Sequence, residues 1–525
     1  MQRDPAKKTW SRRSFLRSAA ATIPVAGAGV LAGPFNTAWA ADAKSLVIVI
    51  GSDVGSLDPD KYTNWNDYWA YGNMFEGLYR PNEKGDLVPG LAESVEVSPD
   101  GLSYKFKLRA GAKFHNGDPV TSDDVIFSIT RSRDPAIQNQ RASLLDNIAE
   151  VVRTDDRQFT VRLKAIDAET IPKLSLYWQV KPKRYIETVG DAEFAKKPVG
   201  TGPFEFAERT PAQFLRMRAF PGYWGTKSSV AEVTIRIAPE EQSRIAQVMA
   251  GEADVATPIS PVLAARMGAM PALQVVRVPS FLNVLVYFNA QHAETMKPDV
   301  RRALCMAVDR EALIKTIMLG YAAPQELWCT SAQPACSVEG LRPYKYDPQQ
   351  ARDLLKKANF DFGKPLRFVG QAPGRVAASK ETCEAITEYW KRIGVQVNLE
   401  ILEFGAWNAI KQAKTKDPTV AMIYATGPDP SKDVAYKLLV NTQSNLATSW
   451  VWDKTHDEML AKMNSINNAV ERNAYINKIL RRLHDEAYYM PLWANDTLFV
   501  TGKTVKLDVP PYLAFTTLER VTKTA

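Results

Sequence analysis

Apolar positions follow two rhythms along this 525-residue chain, and the switches between them mark out its elements. Leu46-Val47-Ile48-Val49-Ile50 is an unbroken apolar run closed by Gly51, the pattern of a strand covered on both faces. Tyr104, Phe106 and Leu108 alternate with Lys105, Lys107 and Arg109, and Phe159, Val161 and Leu163 alternate with Thr160 and Arg162, each with the two-residue period of a half-buried strand. Val233 to Ile237 alternates in the same way, and the run through Ile245 and Val248 stops at Gly251, a residue suited to the left-handed position after a helix. Further on, Asp299 is placed to cap a helix carrying Val300, Leu304, Ala307 and Val308, continued by Leu313 and Ile317 and ended by Gly320. Asp347-Pro348 marks another start, ahead of Ala351, Leu354, Leu355 and Ala358. Leu366 to Val369 predicts a strand, Ser379 to Ile393 an amphipathic helix closed by Gly394, and Val395, Val397, Leu399 and Ile401 a second strand. Together they form a βαβ unit.

The stretch from Leu87 to Ile129 is the most punctuated. Ser98-Pro99-Asp100-Gly101 predicts a tight turn, Asn116-Gly117-Asp118-Pro119 a second one, and Thr121 with Asp124 a capping box in which aspartate replaces the usual glutamate. The order Pro89-Gly90-Leu91-Ala92-Glu93-Ser94, then Asp100 to Arg109, then Lys113-Phe114-His115-Asn116-Gly117-Asp118-Pro119-Val120-Thr121 resembles the signature region of bacterial extracellular solute-binding proteins of family 5. These are the receptors of oligopeptide, dipeptide, nickel and opine importers. Phe75-Glu76-Gly77-Leu78, Gly200-Thr201-Gly202-Pro203-Phe204, the Phe220-to-Gly225 turn and Gly251-Glu252-Ala253-Asp254-Val255 extend the likeness over the chain. The resemblance implies an α/β, two-lobed periplasmic binding protein, type II-like and of cluster C, with an extra domain on the N-terminal lobe. It implies lobe I in three parts, 41–75, 200–285 and 498–525, an accessory domain at 76–199 and lobe II at 286–497.

Residues 1–40 follow a different logic. Ser11-Arg12-Arg13-Ser14-Phe15-Leu16-Arg17 precedes an apolar stretch rich in alanine and glycine from Ala19 to Leu31, the form of a twin-arginine export signal. Ala38-Trp39-Ala40 offers small residues to a signal peptidase, so cleavage is expected after Ala40 and the mature chain in the periplasm. The leader holds six basic residues against one acidic residue, so the formal charge of +8 falls to about +3 once it is removed. So small a charge gives no case for nucleic-acid binding. The mature length exceeds what one core usually organises. Cys329 and Cys336 flank a polar loop that an oxidising compartment favours closing as a disulfide, with two free thiols as the alternative that spacing leaves open, while Cys305 and Cys383 read as small buried hydrophobes.

Groups for catalysis are absent from the pattern: no G-x-S-x-G, H-E-x-x-H, P-loop or Rossmann fingerprint occurs in the mature chain. The four histidines stand far apart, and His115 within its turn motif reads as a structural hydrogen-bonder, so no metal, cofactor or enzymatic activity is expected. The resemblance implies a small-molecule or short-peptide ligand, a monomer, and membrane permease subunits of an ABC importer as partners. It points to Trp65, Tyr68 and Trp69 on one side of the cleft, the latter two with helix core as an equal alternative. On the other side stand Arg375, a candidate for a ligand carboxylate or else a solvated cation, Trp407 as a side wall, the Thr426-to-Pro430 loop with Asp429, and Trp450, for which core packing is the alternative. In peptide-binding relatives an aspartate that meets the peptide ammonium aligns with Thr426, a departure that favours a solute without a free amino terminus, such as an opine-like or sugar-like one. A periplasmic hydrolase on the same scaffold is the further alternative.

Overall fold

The structure is a computed structural model that describes residues 44–61, 67–139, 141–330, 333, 335–373, 376–427, 434–444, 446–509 and 517–524. The expected leader and its cleavage point lie outside these residues.

A single large mixed sheet organises the chain from Ala41 onward. Its lobe I portion centres on the strand Ser45–Ile50, which pairs in parallel with Glu232–Ile237 on one side and Val255–Ala256 on the other. Phe214–Ala219 and Phe204–Thr210 complete that edge as antiparallel neighbours. Buried from Leu46 to Ile50, the first strand has helices and loops on both faces, as its unbroken apolar run requires. The lobe II portion contains Leu366–Gln371 between Val397–Leu402 and Val420–Gly427, all parallel, with the helix Ser379–Arg392 making the crossover of the βαβ unit.

Two long antiparallel strands, Leu273–Phe288 and Tyr489–Gly502, run through both portions and join them. Their register is regular from Leu273 opposite Gly502 to Pro279 opposite Asp496, breaks before Asn283 opposite Ala494, and shifts again between Val284 and Leu285. A bulge of this kind interrupts the ladder and lets the strand bend. The expected lobe boundaries at 285/286 and 497/498 fall inside these two strands.

A separate four-stranded antiparallel sheet, in the order Ala92–Val97, Ser103–Leu108, Gln158–Leu163, Ile148–Arg153, packs with the helix Ser122–Arg133 inside the stretch expected as the accessory domain, a label kept for it below. Tyr104, Phe106 and Leu108 point inward while Lys105 and Lys107 face solvent, and Phe106 stacks on Phe159 at 5.4 Å. Each aromatic ring buried this way contributes about 1.5 to 3 kcal/mol. At the helix start the Thr121 N–H donates to Asp124 Oδ2 at 2.9 Å and its hydroxyl donates to the same oxygen at 2.7 Å, so aspartate performs the reciprocal half of the capping box.

Two local expectations are corrected. Lys297, not Asp299, occupies the N-cap position; Pro298 takes the first helical position, and Asp299 in the first turn accepts from Arg302 Nη1 at 2.7 Å. The apolar run to Ile317 is also not one helix. Pro298–Met306 ends, and Asp309 caps a second helix, Arg310–Thr316, by accepting from the Ala312 N–H at 2.9 Å. A side chain able to satisfy free N–H groups offers the backbone a new start, and apolar spacing alone does not register it. Cys329 and Cys336 are joined as a disulfide, and Cys305 and Cys383 are buried thiols. Burial pushes the Cys305 thiol up to about 12.

Candidate functional site

The motifs of the signature region converge on the junction of lobe I and the accessory domain. His115 Nδ1 accepts from the Gly200 N–H at 3.1 Å, and Nε2, which then carries the proton, donates to the Gly202 carbonyl at 3.1 Å. Both ring nitrogens are occupied by backbone, and burial lowers the imidazole to about 4, so it is neutral at pH 7. The two glycines permit this approach: a Cβ would stand 2.0 Å from the Met74 carbonyl oxygen at position 200 and 2.5 Å from that of Asn73 at position 202. Two residues on, Glu76 accepts from the Tyr223 hydroxyl at 3.0 Å and from Trp224 Nε1 at 2.9 Å, while Arg80 and Arg109 lie 4.9 Å and 4.2 Å from the Trp224 ring. Burial raises the Glu76 carboxyl to about 7 against the lowering effect of those donors. Signature residues far apart in sequence thus hold one another.

A cavity lies beside this junction, lined by Tyr68, Tyr71, Glu76, Arg80, Tyr223 and Glu519 among others, with no residue of lobe II on its wall. It is therefore not the space between the lobes. Tyr68 and Trp69 sit on the helix Asp67–Met74, 5% and 4% exposed, with the Tyr68 hydroxyl donating to the Leu176 carbonyl at 3.1 Å. Both are enclosed in this structure.

Thr426 stands half-buried near the end of Val420–Gly427, paired with Val284 of the long strand where the register shifts. Trp407 is 4% exposed and donates from Nε1 to the Tyr424 carbonyl at 3.0 Å. Trp450 is fully buried, its Nε1 directed at the Lys411 carbonyl 3.3 Å away. Both indoles pack in one hydrophobic cluster with Tyr287, Ile423 and Leu438 in this structure. Trp65, Arg375 and Asp429 lie outside the described residues. Among the described residues no group of three or more His, Cys, Asp or Glu side chains is placed to hold a metal ion, and no helix is long and apolar enough to cross a membrane.

The family model for bacterial extracellular solute-binding proteins, family 5 Middle, matches residues 86–445. The chain belongs to this family. Among relatives of this family 5 protein, a glutathione-binding protein of Escherichia coli O6:K15:H31 is 26% identical over 465 residues, spanning 86% of this chain and 89% of the relative. The dipeptide-binding protein of Escherichia coli strain K12 is 25% identical over 517 residues, spanning 91% and 94%. Among solved structures, a periplasmic binding protein from Helicobacter pylori in complex with the peptide STSA has a TM-score of 0.81 at 24% identity, covering 91% of this chain and 98% of its own. NikA from Brucella suis in complex with Fe(III)-EDTA has a TM-score of 0.82 at 24% identity, covering 91% and 100%.

Several residues of this family 5 chain that sequence reasoning passed over are charged and buried in lobe II. Lys437 donates to Asn283 Oδ1 at 2.9 Å and lies 4.9 Å from the Trp328 ring, while Asn283 Nδ2 donates to the Trp328 carbonyl. Asn283 thereby ties the register break to the helix Val434–Thr442 and to the strand of chain leading into the disulfide loop. Lys416 donates to the carbonyls of Lys411, Ala413 and Ala447 at 2.7, 2.8 and 2.6 Å. Burial, and then the nearby Lys411 ammonium, lower Lys416 to about 7, while burial lowers Lys411 to about 8. Lysines in the polar stretch from Lys411 to Lys416 read as solvated, so no pattern signals those two positions.

Proposed function

We propose that the chain is a periplasmic receptor that captures a peptide or peptide-like solute between its lobes and delivers it to the membrane permease of an ATP-driven importer. The observation that carries this reading is the pair of long strands joining the two sheet portions, with a register break at Pro279–Asn283 that supplies a hinge. The names of the relatives, which bind glutathione and a dipeptide, support the peptide-like class. Export by the twin-arginine route, cleavage after Ala40 and a monomeric state complete the proposal. Trp65, Tyr68 and Trp69 on one lobe and Arg375, Trp407, Thr426, Asp429 and Trp450 on the other are the residues to test, with Thr426 and the loop beyond it first. Thr426 is uncharged and ends a strand beside the hinge, which favours as a second reading a solute lacking an ammonium, of opine or sugar type.

A thermal-shift screen of the chain from Ala41 onward against peptides, opines, oligosaccharides and metal complexes tests this. A solute at 100 times its dissociation constant adds about 2.7 kcal/mol of stability. A saturable shift without turnover supports the receptor, and chemical conversion of a hit overturns it. Thr426→Asp separates the two solute classes: a gain for peptides with a free amino terminus supports the alignment of that loop, and no gain argues against it.

A further inference from the structure

Three contacts among the described residues bring the accessory domain against lobe II. At the tip of its signature hairpin, Gly101 has a left-handed φ of +70°, and a Cβ there would stand 2.5 Å from Asn467 Nδ2. Glu169, fully buried, has Oε1 at 3.9 Å from Arg472 Nη2 on the helix Ala469–Asp485. The Tyr177 ring stacks on Tyr436 of the helix Val434–Thr442, with centroids 4.1 Å apart and planes 26° from parallel.

The last contact is tied to the candidate cleft from both sides. Tyr177 follows Leu176, whose carbonyl accepts from Tyr68 of the lobe I helix, and the Arg141 guanidinium lies 5.5 Å from the Tyr177 ring. Tyr436 lies in the helix that follows the loop from Thr426 to Pro430 in sequence. An aromatic pair at this separation and tilt is attractive through dispersion and its quadrupoles. A swing of lobe II away from the accessory domain would break it.

We propose that Tyr177 is a positioning residue for solute capture: stacked on Tyr436, it makes the accessory domain a second jaw that meets lobe II together with lobe I. The inference rests on the hinge-closure reading above. Lobe I and the accessory domain then move as one body, and the stack sets how far Thr426, near the end of its strand, approaches the helix of Tyr68.

Cross-linking tests this without a known solute. Gly101→Cys combined with Asn467→Cys places two thiols at the hairpin contact, and the native cysteines do not compete, because two are bonded and two are buried. With diamide as oxidant, the cross-link should form in the chain from Ala41 onward. Its rate should fall about three- to tenfold when Tyr177→Ala is added, the population change expected of one stacking contact. Tyr177→Phe should restore it. Tyr436→Ala repeats the test from lobe II should Tyr177→Ala not fold. No cross-link, or a rate indifferent to Tyr177→Ala, overturns the second jaw. The receptor reading has its own readout in the solute screen. A solute hit with unchanged cross-linking removes the jaw alone, and a Tyr177-dependent cross-link in a protein that converts its hits removes the receptor reading alone.

Discussion

Two buried groups at the signature junction titrate in opposite senses. His115 falls to about 4 on folding, so the unfolded chain binds more protons between about 4 and its ordinary 6.5, and stability rises with pH across that window. His456, likewise lowered to about 4 by burial, adds to the rise. Glu76 is raised to about 7 from 4.5, so the folded chain holds the extra proton between those values and stability falls as pH rises through them. Glu76→Gln removes the falling contribution. Its thermal midpoint should climb more steeply between pH 4.5 and 7 than that of the unaltered chain; parallel profiles would show that the carboxyl does not hold its proton. His115 was legible as a structural residue because it lies within a turn motif and the other histidines stand far from it in sequence. Glu76 was not, because its partners Tyr223 and Trp224 come from a motif nearly 150 residues away.

Turns and caps are where sequence and structure agree most closely, since each depends on a few adjacent side chains. The hairpin at Ser98–Gly101, the box at Thr121 and Asp124 and the start at Asp347-Pro348 all have their expected form. The helix break at Asp309 was missed because apolar spacing continues across it, and the cap at Lys297 because Asp299, two residues on, is of the type that caps best. The glycines divide in the same way. Gly117 has a positive φ of +91° with open space around it, so Gly117→Ala should cost about 1 kcal/mol of backbone strain. Gly200→Ala instead drives a methyl into the Met74 carbonyl, where backbone must move, and should cost several times more. Urea unfolding of the pair decides it, and equal losses would mean that the junction yields easily. Within lobe II, Cys329→Ser with Cys336→Ser opens a short loop, and chain entropy sets the loss at about 2 to 2.5 kcal/mol. Calorimetry of the oxidised chain against the double variant measures it.

At the scale of the molecule, the accessory domain is bound unequally to its two neighbours. Toward lobe II it offers a ring stack, a 3.9 Å ion pair and a glycine tip. Toward lobe I it is joined by buried charge: Arg131 of the helix Ser122–Arg133 meets Asp58 at 2.7 Å and Asp60 at 2.6 Å, and Lys181 meets Asp60 at 2.9 Å. Asp58-Pro59-Asp60 follows the first strand of lobe I, so this network pins the loop entering the candidate cleft to the accessory core. The purpose of Asp58-Pro59-Asp60 is not legible from its own surroundings in sequence, since its cations arrive from more than 70 residues away. Removing Arg131 leaves two buried aspartates with the Lys181 ammonium as their remaining partner in this network, which costs about 3 to 5 kcal/mol, whereas an exposed pair is worth at most about 1. Arg131→Met should therefore lower stability in urea by about 3 to 5 kcal/mol, while Arg162→Met, which breaks the exposed pair with Glu150 at 2.5 Å, should change it by less than about 1. If closure moves lobe I and the accessory domain as one body, the Arg131 variant should also slow the hairpin cross-link, because the tip would no longer travel with lobe I. A large stability loss with an unchanged cross-linking rate would instead mean that the accessory domain follows lobe II.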